Sequence, residues 1–207
     1  MSRHTARIRL YLVGCLVAAS SVTPCPSGAA ESNWRTVTEA GVTYQPAESP
    51  IDPYLHPTHW RWTGVGGAIR RLGASDAAGP VLLGSYSEHD YTAGAGLRWE
   101  HEFGDSWGLL VTPGFALQDL VKGESEVFTG YFAEVGVSYR RWVTLAARRE
   151  AIRHTPENFL EGPPPDAITE SVWRFDARVG RAPGAIALGA AALFLIGLGV
   201  GQATDAR

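Results

Sequence analysis

Between His89 and Phe103 the chain alternates with a period of two, and a period of two belongs to a β-strand, whose successive side chains point to opposite faces. The odd positions are His89, Tyr91, Ala93, Ala95, Leu97, Trp99, His101 and Phe103; the even ones are Asp90, Thr92, Gly94, Gly96, Arg98, Glu100 and Glu102. One face is apolar and aromatic, the other charged or bare. Trp107 to Leu117 repeats the scheme, although Pro113 sits oddly in a strand. Val127 to Arg141 and Glu170 to Arg181 repeat it again, and Val143 to Ile152 follows less cleanly through Arg148 and Glu150. An all-β fold follows.

The polar face decides which one. It mixes glycine (Gly94, Gly96, Gly108, Gly114, Gly130, Gly136, Gly180) with both signs of charge. In a soluble sandwich that face would meet water, where glycine only weakens a strand. Inside a narrow barrel of about 8 strands, small residues make room for long ones, and arginine and carboxylate can satisfy each other. The expected fold is therefore an up-and-down antiparallel membrane β-barrel with apolar side chains outside. Arg98, Glu100, Glu102, Glu134, Arg140, Arg174, Asp176 and Arg178 are expected to form a paired network in its lumen. The connections agree with a meander. Gly104-Asp105-Ser106, Arg140-Arg141 and Pro183-Gly184 read as tight turns, whereas Gly73 to Pro80, Gln118 to Glu126 and Arg153 to Ile168 read as longer loops.

The flanks place this domain. Residues 1–30 read as a cleaved signal peptide: Arg3, Arg7 and Arg9, an apolar stretch from Leu10 to Ala19, then Gly28-Ala29-Ala30 before Glu31. After it, 15 basic residues face 21 acidic ones, a formal charge of −6, and nothing suggests nucleic acid. Cys15 and Cys25 both precede Glu31, so no thiol chemistry is expected of the mature chain. Leu12-Val13-Gly14-Cys15 also matches a lipobox, which leaves acylation of Cys15 as an alternative. Residues 31–58, with four prolines and a short candidate strand from Thr36 to Tyr44, read as an extended N-terminal segment. The barrel is expected over 59–201 and a tail over 202–207. Ala185 to Gly201 carries no charge; its Gly197, Gly199 and Gly201 favour a strand, and a transmembrane helix is the alternative.

Residues 59–201 resemble, in pattern, the small outer-membrane β-barrel proteins of Gram-negative bacteria. The chain departs from that pattern in ending Gln202-Ala203-Thr204-Asp205-Ala206-Arg207, not on an aromatic residue. The strand count from His59 is seven, and an even number needs either the Thr36 to Tyr44 segment or a break at Ser87-Glu88. The resemblance implies a non-enzymatic outer-membrane protein, structural or assisting passage or assembly of an envelope component. The expected partners are membrane lipid and an envelope glycolipid or polysaccharide, and oligomeric state is not readable.

Candidate chemistry is sparse. Glu88, His89 and Asp90 form the one local cluster that a barrel enzyme acting on envelope lipid could use, and a strand end accounts for it as simply. His101 cannot share a metal with Glu100 and Glu102, which point the other way, and no cofactor or metal site is implied. The run Gly64-Val65-Gly66-Gly67 lacks the spacing and the lysine of a phosphate loop. A secreted β-sandwich binding module with a C-terminal transmembrane anchor is the remaining alternative.

Overall fold

Eight antiparallel strands follow one another around the molecule and the last pairs with the first: β1 (Trp34–Tyr44), β2 (Trp60–Arg71), β3 (Asp76–Tyr86), β4 (Asp90–Phe103), β5 (Trp107–Leu120), β6 (Val127–Tyr139), β7 (Val143–His154) and β8 (Ile168–Gly180). This computed structural model describes residues 33–46, 60–87, 90–120, 127–154 and 168–190. The expected signal peptide, Cys15, Glu88, His89 and the tail 202–207 lie outside the described residues. One closed sheet replaces the two stacked sheets of a sandwich, so that alternative is excluded, and β1 and β8, the two ends of the sheet, pair with each other.

The strands with strong alternation, β4 to β8, form where the pattern places them. Three boundaries differ. The barrel begins at Trp34, not at residue 59, because the candidate strand at Thr36 to Tyr44 is β1 and pairs with both β2 and β8. Its inward residues Arg35, Val37, Glu39, Gly41 and Thr43 contrast weakly with the outward Thr36, Thr38 and Ala40. The expected loop from Gly73 to Pro80 is instead a turn over 72–75 leading into β3, and the chain turns again after Tyr86, so Val81 to Phe103 is two strands. In β3, Ala77 and Gly79 face inward and Ala78 and Pro80 outward, which leaves no polarity for alternation to display.

The third difference concerns the start of the expected strand at 185–201, of which residues 191–201 lie outside the described residues. Residues 181–190 are helical, with Pro183 in the first turn, where its missing N–H costs nothing. At this end of the seam β8 is paired with β1 up to Gly180, and the chain leaves the sheet there as a helix. The helix folds back over the outer face of the barrel. Leu188 is buried with its side chain seated on Gly64, and Gly184 lies against the carbonyls of Thr38 and Val179. That face is built from small outward residues, Thr38, Ala40 and Gly64, whose low profile lets a helix approach. Among the described residues no helix is long and apolar enough to cross a membrane.

Two prolines are absorbed in a common way. Pro80 pairs with Leu97 of β4, while the β2–β3 ladder skips from Gly67↔Val81 to Arg70↔Ala78. Pro113 pairs with Ala133 of β6, while the β4–β5 ladder skips from Gly96↔Gly114 to Trp99↔Val111. Each missing N–H thus coincides with an interrupted ladder on one side.

Candidate functional site

The outer and inner surfaces carry opposite chemistry. Outside, Leu97, Val111, Val135, Val137 and Leu145 form an aliphatic band. Toward the tight-turn end it is bordered by Trp34, Phe103, Trp107, Tyr139 and Trp142, and toward the other end by Trp60, Trp62, Phe115, Tyr131, Trp173 and Phe175. Phe115 is 78% exposed and Trp62 70%. From Trp107 to Phe115 the strand runs about 26 Å at 3.3 Å per residue, or roughly 20 Å of height once tilted, close to the ~25 Å apolar belt of a membrane barrel. Three arginines lie over the bordering rings: Arg140 over Tyr139 and Arg181 over Trp142 at one end, Arg149 over Trp173 at the other. A belt of this kind faces lipid, and the chain crosses it with strands.

Inside, alternation brings charge from β1, β4, β6, β7 and β8 onto one lumen. At mid-height Arg98 binds Glu39 through both Nη atoms, 3.0 and 3.3 Å, and reaches Glu134 at 3.4 Å. Arg178 comes from the opposite side of the wall and lies 2.8 Å from Glu134 and 3.3 Å from Glu39. Two arginines and two glutamates from four strands thus form a closed square across the barrel. Thr112 and Thr144 accept from Arg98 and donate to Glu39 respectively.

Toward the loop end, Glu150 lies 2.8 Å from Arg148 and 2.5 Å from Arg174, and Asp176 lies 3.6 Å from Arg148 and accepts from Thr43. Arg174 also donates to Gln45 and Thr92. Toward the tight turns, Arg35 pairs with Glu100 and Glu102, and Arg141 pairs with Glu102. Arg98, Arg148, Glu134 and Glu150 are each 0% exposed. The pairs of Arg148 and Arg178 are contacts of charge, since their N–H groups are not aimed along hydrogen-bond directions at the carboxylates they touch.

Glycine on the inner face has a visible use. The ring of Phe132 lies over Gly94, Gly96 and Gly114, and a Cβ at Gly114 would stand 2.6 Å from ring carbons. Across the lumen from the charges, Val37, Val65, Ile69, Ala77, Val81 and Leu83 pack as an apolar cluster on β1, β2 and β3.

Of the residues expected in the lumen, Arg98, Glu134, Arg174, Asp176 and Arg178 are buried there, and Glu100 and Glu102 sit nearer its tight-turn mouth. Arg140 does not join them. It occupies the β6–β7 turn at φ 49°, exposed, stacked on Tyr139, because alternation stops where the strand ends at Tyr139. Arg141, beside it, turns inward to Glu102. Glu39 and Arg35 were hidden in the segment assigned outside the barrel, although their spacing with Val37, Gly41 and Thr43 already followed the period. Asp90 opens β4 opposite Leu120. His101 faces outward between Trp99 and Phe103 and is 2.9 Å from Asp76. Among the described residues no three His, Cys, Asp or Glu side chains are grouped to hold a metal.

No protein-family model matches the chain, and no curated protein aligns with it significantly. Among solved structures it is similar to the outer-membrane protein Ail of Yersinia pestis. The crystal structure of Ail is 10% identical over 73% of this chain and 100% of that chain, with a TM-score of 0.38. Its backbone structure in a phospholipid bilayer nanodisc is 8% identical over 70% and 98%, with a TM-score of 0.39. The translocator domain of the autotransporter NalP from Neisseria meningitidis is 11% identical over 82% of this chain and 66% of that chain, with a TM-score of 0.34.

Proposed function

We propose that this outer-membrane barrel is a non-enzymatic, non-conducting element of the envelope, acting through its lipid-facing surface and its rims, whether as a structural component or in the assembly of an envelope component. One observation carries the reading: the square of Arg98, Glu39, Glu134 and Arg178 spans the lumen at mid-height, with the ion pairs of Arg148, Glu150 and Arg174 stacked beyond it. Charges held this way obstruct a pathway, because an ion moving through would have to break pairs whose separation in a low-dielectric interior is costly. With ~8 strands the interior has room for side chains and little else.

The orientation follows from the connections. The connections after β2, β4 and β6, all of three or four residues, and both described ends of the barrel lie on one side. The other side has one connection of three residues and three longer ones, and in outer-membrane barrels the side of short turns is the periplasmic one. The connections after β1, β3, β5 and β7 then face outward, toward envelope glycolipid or polysaccharide. Planar-bilayer recording tests the reading. The purified protein, shown to be folded by faster migration on an unboiled gel, is expected to give no steady single-channel current, and a large steady conductance would overturn the proposal.

A further inference from the structure

The seam that closes the barrel is its shortest. β1 and β8 share only the pairs from Glu39↔Gly180 to Tyr44↔Phe175, whereas β8 runs alongside β7 from His154↔Ile168 to Val143↔Val179. Beyond Tyr44 the loop-side part of β8 has no β1 neighbour. Over the paired rows of the seam, the outer wall carries an open depression of about 400 Å³, lined by Val42, Tyr44, Trp60, Leu145, Phe175 and Ala177 among others. The register explains its shape. Ala177 lies between Val42 and Leu145, and one row nearer the loops Phe175 lies between Tyr44 and Ala147. Ala177, small between Val42 and Leu145, thus leaves a depression among larger apolar side chains that point outward, toward lipid.

Arg149 stands at the loop-side edge of the same face. It is four residues beyond Leu145 on β7 and therefore on the same side of the sheet, roughly 13 Å along the strand. Its guanidinium lies 5.8 Å from the Trp173 ring centroid, and its Nε donates to Ser171 at 2.8 Å. Among the described residues no carboxylate pairs with it, unlike Arg98, Arg174 and Arg178 in the lumen. With Nε engaged by Ser171, the two Nη groups remain to meet an anion from outside the barrel. An exposed cation on a lipid-facing wall is tolerated at the interface, where headgroups supply the anion, and not at the bilayer centre. Arginine suits phosphate in particular, through two parallel N–H···O bonds.

We propose that the β1–β8 cleft and Arg149 form one binding site for a phosphate-bearing lipid of the loop-side leaflet, an acyl chain lying along Ala177 and Phe175 and the phosphate on Arg149. The proposal rests on the membrane reading given above. It assigns a task to two features the lumen leaves unused, the depression over the seam and an outward arginine at the loop-side border.

Native mass spectrometry of the folded protein in non-ionic detergent, titrated with dioleoyl phosphatidic acid, tests it. One phosphatidic acid per barrel is expected, weakened about tenfold by Arg149→Gln, the loss of one charge-assisted contact, and comparably by Ala177→Phe, which fills the cleft. Dioleoylglycerol should bind more weakly and be indifferent to Arg149→Gln, and inorganic phosphate should leave no adduct. Equal binding of the two lipids, binding of phosphate alone, or unchanged phosphatidic acid binding in both variants would each overturn the site. A chain that shows no heat-modifiable migration in the same detergent would instead count against the barrel in the membrane, so the two failures are distinguishable.

Discussion

The two sides of the lumen solve the same problem with different materials. On β1, β2 and β3, Val37, Val65, Ile69, Ala77, Val81 and Leu83 fill the interior as alkyl groups. On β4, β6, β7 and β8, Arg98, Glu134, Arg148, Glu150, Arg174, Asp176 and Arg178 fill it as ion pairs. Each sector depends on the other. The apolar wall lowers the local dielectric, which strengthens every Arg–carboxylate contact and makes any unpaired charge more costly. Glu39 joins them: it belongs to β1 yet reaches Arg98 and Arg178. Outside, the midsections of β1 and β2 carry Thr38, Ala40 and Gly64 on the face the helix covers, whereas Trp34, Trp60 and Trp62 at their ends join the lipid-facing belt.

This contrast can be broken from the charged side first. Glu134→Ala removes the carboxylate that faces both Arg98 and Arg178, and uncompensated buried charge should destabilise the barrel by about 3–5 kcal/mol. Urea titration of the protein folded into lipid vesicles, followed by tryptophan fluorescence, measures it; a loss near zero would mean that water reaches the square. In the apolar sector, Ile69→Val deletes one methylene from a fully buried side chain and should cost about 1 kcal/mol in the same titration. A loss as large as that of Glu134→Ala would deny that the sectors differ in kind. Smallest is Arg140→Ala, at an exposed turn outside the network, expected to leave the urea midpoint unchanged. A clear shift there would return Arg140 to the structural charges.

The same contrast explains which parts could be read in advance. β4 and β8 pit Arg98, Arg174 and Arg178 against Leu97, Trp173 and Phe175, so both the strand and the inward direction of its charges follow from order along the chain. Around the middle of β2 and β3, Val65, Ile69, Val81 and Leu83 lie inside and Gly64, Gly66, Ala78 and Pro80 outside, and a strand whose inner face is as apolar as its outer face carries little period to read. The bounds of β3 are unreadable for that reason, and β1 is unreadable for another: Arg35 and Glu39 inside face Thr36 and Thr38 outside, so both of its faces are polar.

Alternation along single strands was enough to establish the all-β class, the antiparallel meander and the face on which Arg98, Glu134, Arg174 and Arg178 lie, because a side chain's direction in a strand is a local property. Partner choice is not local. Whether Arg98 meets Glu39 or Glu134, whether Arg140 or Arg141 turns inward, and whether the stretch after Gly180 becomes a strand depend on closure. Once β8 paired with β1 up to Gly180, residues 181–190 satisfied their backbone hydrogen bonds internally as a helix on the small-residue face of β1 and β2.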